Sequence, residues 1–241
     1  MAQYLIVGGH GGVGEALARR LAAAGHAVIV TGREKAAIDG LAAEIGGRGI
    51  VCDVLDPGSV AALGKEVEGA LDGLCYAAGT INLKPFERLS VDDFLNDFNI
   101  NALGAARVIQ AVLPALKTAE AGSGIVLFST VAVDQGFAAH ASIAMAKGAV
   151  VGLVRSLAAE FAPQIRVNAI APSLTLTPLG QKVVTSEKMA EAVAKMHPLP
   201  RLGQADEIAA MAGLLLSPEG SWISGQVIGI DGGRSTLRIR S

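Results

Sequence analysis

Short apolar runs alternate with longer Ala- and Leu-rich segments along almost the whole chain. The short runs are apolar or β-branched with little polar alternation, which is typical of strands buried on both faces of a sheet. We predict strands over residues 3–8, 27–31, 49–52, 72–77, 124–129, 165–170 and 226–230. We predict helices over residues 13–24, 34–45, 57–70, 90–118, 142–161, 180–196 and 204–217.

This alternation predicts an α/β fold, a doubly wound parallel sheet with helices on both faces. No Ser/Gly-rich linker, low-complexity run or internal repeat interrupts it, so residues 1–241 are interpreted as a single domain. Ser90 is predicted to cap one helix, and Pro163 to help end another. Residues 173–203 hold several prolines and one helix pattern, and we interpret them as a segment that covers a ligand crevice.

The composition fits a large buried core and disfavours two classes of partner. Of 241 residues, 51% are hydrophobic and 17% are charged, with a formal net charge of −2. No cluster of Lys and Arg stands out, so neither nucleic acid nor an anionic membrane is expected as a partner. Cys52 and Cys75 lack CxxC spacing and are expected to be reduced and buried, with no metal site. With no apolar run long enough for a bilayer and no leader pattern, we expect a cytoplasmic protein.

A glycine-rich loop follows the first predicted strand directly and precedes a helix. Glycines let the backbone turn tightly and approach a pyrophosphate, and the helix N-terminus favours an anion. This position makes the loop a more specific indicator of a dinucleotide than the glycines alone. The predicted phosphate-binding residues are Gly8, Gly9, His10, Gly12, Val13 and Gly14.

The glycine spacing and several later motifs resemble the short-chain dehydrogenase/reductase family, in particular single-domain members similar to 3-oxoacyl-(acyl carrier protein) reductases. The loop resembles TGxxxGxG, with Val7 where threonine is common. The later matches are Asn101-Ala-Leu-Gly104, Arg166-Val-Asn168-Ala-Ile-Ala-Pro172 and the stretch from Ser221 to Asp231-Gly-Gly. The resemblance spans residues 3 to about 233. It implies about seven strands, a nicotinamide cofactor, a small-molecule substrate, and a homotetramer or homodimer packed through helices 90–118 and 142–161.

The resemblance also bears on which cofactor is bound. By the family's spacing, the carboxylate that NAD-preferring members carry after the second strand falls at Gly32 and is missing. Arg33 follows and would pair with a 2′-phosphate, so NADP(H) is favoured over NAD(H); the alternative is a surface arginine that starts the next helix. Further cofactor contacts implied by the resemblance are Asp53 (alternatively a helix cap), Val54, Ala78, Gly79, Lys147, Pro172, Thr175 and Thr177.

The chain departs from the family at residue 143. The family carries Tyr-x-x-x-Lys on this helix, and here Lys147 is in place but Ile143 stands at the tyrosine position. Isoleucine cannot carry a proton, so binding the nicotinamide ribose is the one role of Lys147 that survives. Asn101 matches the asparagine that helps to hold this lysine through a water. Thr130 falls at the family's serine position, with Ser129 as its neighbour if the register slips by one.

Several groups could supply the missing proton. His140 lies seven residues before Lys147, would share its helix face if the helix began that early, and titrates near neutrality. Thr130 and Tyr76 are the other candidates, whereas His26 and His197 are interpreted as surface residues. The predicted catalytic residues are Asn101, Thr130, Lys147 and His140. Three functions stay open: an NADP(H)-dependent reductase of a small carbonyl, or oxidant of its alcohol; a cofactor-binding sensor or partner subunit without turnover; and a non-redox enzyme.

Overall fold

A seven-stranded parallel sheet forms the centre of the protein in the computed structural model, which describes residues 1–184 and 186–238. Its strands run in the order β3-β2-β1-β4-β5-β6-β9. They are β1 (Gln3–Val7), β2 (Ala27–Gly32), β3 (Arg48–Val51), β4 (Gly73–Tyr76), β5 (Ser123–Phe128), β6 (Ile165–Pro172) and β9 (Val227–Ile230). Two short strands, β7 (Thr175–Leu176) and β8 (Gly203–Gln204), pair separately. The predicted doubly wound parallel sheet is confirmed.

Helices cover both faces of this sheet. They are α1 (Gly12–Ala23), α2 (Lys35–Ile45), α3 (Pro57–Glu66), α4 (Val91–Phe98), α5 (Gly104–Lys117), α6 (Ala141–Phe161), α7 (Pro178–Gln181), α8 (Glu187–Ala194) and α9 (Ala205–Leu216). One apolar layer packs α3, α5 and α6 on the sheet, and the other packs α1, α2 and α9 on it. The strand order changes direction between β1 and β4, which places a ligand crevice at the carboxyl ends of these two strands.

Three predicted helices differ from the structure. The helix predicted over 57–70 ends at Glu66, where the chain turns extended and Val67 enters the core. The helix predicted over 90–118 contains a π-helical turn, Asn99–Leu103, between α4 and α5. The helix predicted over 180–196 is two short helices, because Thr177 and Ser186 each cap a new start; residue 185 lies outside the described residues.

Three further predictions concern a helix cap, the two cysteines and the length of the apolar runs. Ser90 caps α4 in a capping box, in which its hydroxyl accepts from the Asp93 amide at 3.2 Å. Both cysteines are free and buried. One helix, α6, is long and apolar enough to cross a membrane by length and composition alone, although Lys147 and Arg155 interrupt its apolar run. Val150 and Val154 show the reason: α6 is apolar because it packs on the sheet.

Candidate active site

The glycine loop closes tightly over the carboxyl end of β1. The amides of Gly8 and Gly9 donate to the Thr31 carbonyl at 2.8 and 3.0 Å. Gly8 has φ of +80°, and a Cβ there would lie 2.7 Å from the Ala78 amide nitrogen. Helix α1 begins at Gly12, and the Gly14 amide donates to the Gly11 carbonyl at 2.8 Å, so the amides of Gly12 and Val13 are the ones without an acceptor among the described residues. The loop therefore presents backbone donors and a helix N-terminus, which suit a pyrophosphate.

The segment after β6 folds back onto this loop. A Cβ on Gly12, whose φ is +36°, would lie 2.6 Å from Cβ of Thr177. The Thr177 hydroxyl accepts from the Gly180 amide at 3.0 Å and so caps α7. Thr175 is buried and donates to the Ser173 carbonyl at 3.0 Å. Thr177 thus lies where a pyrophosphate would pass, whereas the Thr175 hydroxyl already holds the turn that follows β6.

His10 fills the space beside Gly32. The buried Nδ1 of His10 has no hydrogen-bond partner among the residues that the structure describes. A Cβ on Gly32 would lie 2.5 Å from this nitrogen. Arg33 follows at the surface and forms no ion pair within the described part of the chain. His10 Nδ1 is enclosed by the protein, so the exposed Arg33 is the side chain that a ligand at this point would reach.

Asp53 closes a turn and does not cap a helix. Its Oδ1 accepts from the Leu55 amide at 2.9 Å, and its own amide donates to the Ser59 hydroxyl at 3.0 Å. The N-cap of α3 is Asp56, whose carboxylate accepts from the Gly58 amide at 2.8 Å. Asp53 is therefore fixed at the end of β3, as an adenine contact requires, and the helix-cap alternative is wrong. Val54 beside it is buried in the core.

Gly79, Asn101 and Lys147 meet at the carboxyl end of β4. A Cβ on Gly79 would lie 2.9 Å from Oδ1 of Asn101 and 3.6 Å from Nζ of Lys147. Lys147 is 9% exposed and donates from Nζ to the Phe128 carbonyl at 2.9 Å. Burial lowers the pKa of Lys147 from 10.5 to about 8, and the negative charge of Asp97 opposes this shift. Since Nζ of Lys147 donates to one backbone carbonyl, its other hydrogens are available to a ligand hydroxyl.

Ile143 lies one helical turn before Lys147 and is 4% exposed. Thr130 is partly exposed, its Oγ1 accepts from the Ala132 amide at 3.3 Å, and its hydroxyl hydrogen has no acceptor in the described ranges. Ser129 is buried and donates to the Lys147 carbonyl at 3.3 Å. Thr130 is therefore better placed than Ser129 to donate to a substrate oxygen.

His140 and Tyr76 differ as proton donors. Helix α6 begins at Ala141, one residue after His140, so the condition on which His140 would share the helix face of Lys147 is not met. His140 is the N-cap, with Nδ1 2.7 Å from the Ala138 carbonyl and its ring against Phe137. Tyr76 is 2% exposed and donates its hydroxyl to the Ile100 carbonyl at 2.6 Å. Burial raises the pKa of Tyr76 far above its ordinary value. The Tyr76 hydroxyl thus points into the core and is not available as an acid.

The surface interpretation of His197 is wrong. This residue is 2% exposed, with Nδ1 2.9 Å from the Val193 carbonyl and Nε2 2.8 Å from the Ser173 hydroxyl. The cause is that the segment after β6 returns over the end of that strand and encloses the ring. His26 is half-buried, with its ring edge-on to Tyr4. Across residues 1–184 and 186–238 no group of three or more His, Cys, Asp and Glu could hold a metal ion.

A polar network that the sequence did not predict lies under Asn101. The side-chain Nδ2 of Asn101 donates to the Thr80 hydroxyl and to the Asp97 backbone carbonyl, both at 2.8 Å. The Asp97 carboxylate accepts from the hydroxyls of Thr80 and Ser142, both at 2.6 Å. One signal was present: Asp97 stands four residues before Asn101, which places both on one helix face.

Comparisons with known proteins agree with this geometry. The family model described as enoyl-(acyl carrier protein) reductase matches residues 8–235. Oxidoreductase UcpA of Escherichia coli is 38% identical over 249 residues, covering 97% of this chain and 94% of that protein. D-threitol dehydrogenase of Mycolicibacterium smegmatis is 35% identical over 243 residues, covering 95% of this chain and 91% of that protein. The structure of an actinorhodin polyketide ketoreductase variant with NADPH superimposes with a TM-score of 0.92 at 26% identity, covering 98% of both chains.

Proposed function

Because this chain belongs to the short-chain dehydrogenase/reductase family, we propose that it is an NADP(H)-binding oxidoreductase that interconverts a small carbonyl compound and its alcohol. The observation that carries the proposal is the meeting of Gly79, Asn101 and Lys147 beside the glycine loop. Relatives named as an oxidoreductase and a sugar-alcohol dehydrogenase support this reaction class. The substrate is a small molecule, and we propose a cytoplasmic location.

The described residues fit the cofactor. The amides of Gly12 and Val13 at the start of α1 are the backbone donors that the loop offers a pyrophosphate, and Thr177 lies against Gly12. Gly32 provides no carboxylate for the adenosine ribose, while Arg33 and the unpaired Nδ1 of His10 lie beside it. The exposed Arg33 and the missing carboxylate at residue 32 favour a 2′-phosphate over a free hydroxyl pair, so we propose NADP(H) over NAD(H).

Hydride chemistry would be supplied by NADP(H) when it is bound, and the residues of the chain position the reactants and transfer the proton. Lys147 would hold the nicotinamide ribose. The Asn101 side chain lies next to Lys147 at Gly79 and bounds the site there. Thr130 donates its hydroxyl hydrogen to the substrate oxygen. His140 would take the place of the tyrosine as proton donor, and Thr130 would do so only by relaying a proton from water, since its own alkoxide must be reprotonated. A positioned general acid contributes about 10²–10⁴-fold, or roughly 3–5 kcal/mol, so turnover is slow if neither replaces it.

One observation favours a second candidate function, a cofactor-binding sensor or partner subunit without turnover. Ile143 is 4% exposed and presents only carbon atoms next to the cofactor anchor. A pocket with isoleucine instead of tyrosine at residue 143 can still bind a nicotinamide cofactor, but this residue cannot protonate an alkoxide. Cofactor binding with no turnover on any carbonyl or alcohol tested would select this function.

We further propose a homotetramer or homodimer built on helices α4, α5 and α6. Apolar side chains are exposed on or near these helices: Phe86, Val91, Leu95, Phe98 and Met145. Phe86 is 72% exposed and Val91 is 73% exposed, which an isolated chain would leave in water. An interface between two copies of the chain would bury these apolar side chains. A monomer by sedimentation would contradict the proposal.

The experiment that tests cofactor choice is a fluorescence titration with NADPH and NADH. Wild type is expected to bind NADPH more tightly, and Arg33→Ala is expected to remove the preference. Loss of one charge-assisted contact is worth about 1.5–3 kcal/mol, or roughly 10–100-fold in affinity. Arg88→Ala, which removes an exposed arginine outside the crevice, is the matched control and should keep the preference. Equal wild-type affinities for the two cofactors would refute the Arg33 assignment.

A further inference from the structure

A fully buried carboxylate lies beneath the cofactor anchor and is not used by the proposed reaction. Asp97 is 0% exposed, at the end of α4. An ionised carboxylate without partners is strongly destabilised in a protein interior. Its position therefore requires both hydrogen bonds and a counter-charge.

The hydrogen bonds come from two different elements. Thr80, in the loop after β4, donates to Oδ1 of Asp97 at 2.6 Å. Ser142, in the first turn of α6, donates to Oδ2 at 2.6 Å, across 45 residues of sequence. Each oxygen thus accepts a hydroxyl hydrogen, which is the pattern expected of an ionised carboxylate.

The counter-charge comes from the same helix as Ser142. Lys147 is buried, its charge interacts with that of Asp97, and its one described hydrogen bond goes to the Phe128 carbonyl. The other carboxylate on this part of α4, Asp93, is already paired with Lys84 at 2.7 Å. Within the described residues Lys147 and Asp97 form no direct ion pair; they are joined through Ser142, which lies on the same helix as Lys147, and Lys84 is already taken by Asp93.

Residue 143 is the reason that Lys147 needs a nearby negative charge. A tyrosine hydroxyl would place a polar group one turn from Lys147, whereas Ile143 places carbon there. Desolvation without a compensating anion would drive Lys147 to its neutral form near physiological pH. A neutral amine is a weaker donor to the ribose hydroxyls than an ammonium group.

We propose that Asp97 is a positioning residue that keeps Lys147 charged and in place for cofactor binding, through a network with Thr80, Asn101 and Ser142. This inference rests on the proposed function, because the anchored group is the nicotinamide ribose. The network links the loop after β4, the π-helical turn and α6, so that one buried charge sets the position of all three. It explains why α4 carries an acid on its buried face.

The test is a pH titration of Lys147 in cofactor-free protein, followed by NMR of ¹³Cε-labelled lysine. The Lys147 signal is assigned by its loss in Lys147→Met. In Asp97→Asn, which keeps the shape of the side chain and removes its charge, the midpoint is expected to fall by about one pH unit or more. A midpoint equal to wild type would overturn the proposal.

Two further variants keep the test decisive. Asp93→Asn removes a carboxylate from the same helix that is paired with Lys84, and the Lys147 midpoint is expected to stay at the wild-type value. Asp97→Ser removes the carboxylate charge but keeps a hydroxyl beside Thr80 and Ser142, and the same downward shift of the Lys147 midpoint is expected. If Asp97→Asn does not fold, an unchanged midpoint in Asp97→Ser overturns the proposal.

Cofactor binding is measured separately, so that the two proposals can fail independently. The pH at which NADPH affinity declines should move downward in Asp97→Asn together with the Lys147 midpoint. A shifted midpoint without any NADPH binding in wild type would refute the proposed function and leave the effect of Asp97 on Lys147 intact. NADPH binding with an unshifted midpoint would refute the role of Asp97 alone.

Discussion

Replacing Lys147 by methionine is expected to change how the stability of the fold depends on pH. Lys147 has a pKa of about 8 in the folded chain against 10.5 ordinarily, because burial disfavours its charge. Between these two values the unfolded chain binds more protons than the folded chain, so the free energy of unfolding of wild type rises with pH. From pH 7 to pH 10 this contribution amounts to about 2.5 kcal/mol. Below about pH 8 Lys147 is charged in both the folded and the unfolded chain, so the folded chain carries the full free-energy cost of burying that charge.

The measurement is urea unfolding of cofactor-free protein at a fixed protein concentration from pH 7 to pH 10. The quantity compared is the difference in unfolding free energy between wild type and Lys147→Met, in which the titrations of other groups largely cancel. This difference should move in favour of wild type as the pH rises. Lys117→Met, which removes an exposed lysine, is the matched control. A difference that stays constant within about 0.5 kcal/mol would refute the desolvation of Lys147.

Three other substitutions test the site. Ile143→Tyr is expected to raise turnover on a panel of carbonyl compounds by about 10²–10⁴-fold if only the acid is missing; no gain with NADPH binding intact would show that the pocket is not arranged for carbonyl reduction. Tyr76→Phe removes the bond to Ile100 and should lower the unfolding free energy by about 1 kcal/mol without changing turnover; lost turnover in stable protein would restore Tyr76 as an acid. Gly12→Ala forces a Cβ against Thr177 and should weaken NADPH binding in a fluorescence titration; unchanged affinity would place the phosphates elsewhere.

Local pattern predicted much of the fold and part of the site. Strands buried on both faces are apolar throughout, so all seven strands of the main sheet lie within a residue or two of their predicted bounds. Helix ends were less predictable. The π-helical turn at Asn99–Leu103 leaves no mark in an apolar pattern, and the start of α8 depends on the cap at Ser186.

The sequence by itself determined the family, the glycine loop between β1 and α1, and the isoleucine at position 143, because each depends on residue type and spacing along the chain. The tertiary structure decided where side chains point. It turned the Tyr76 hydroxyl toward Ile100, and it joined Asp97 to Ser142 across 45 residues. Contacts of this kind depend on how helices pack against the sheet and on which atoms lose water, and no local pattern records either. The charge of Lys147 is accordingly a property of the folded chain.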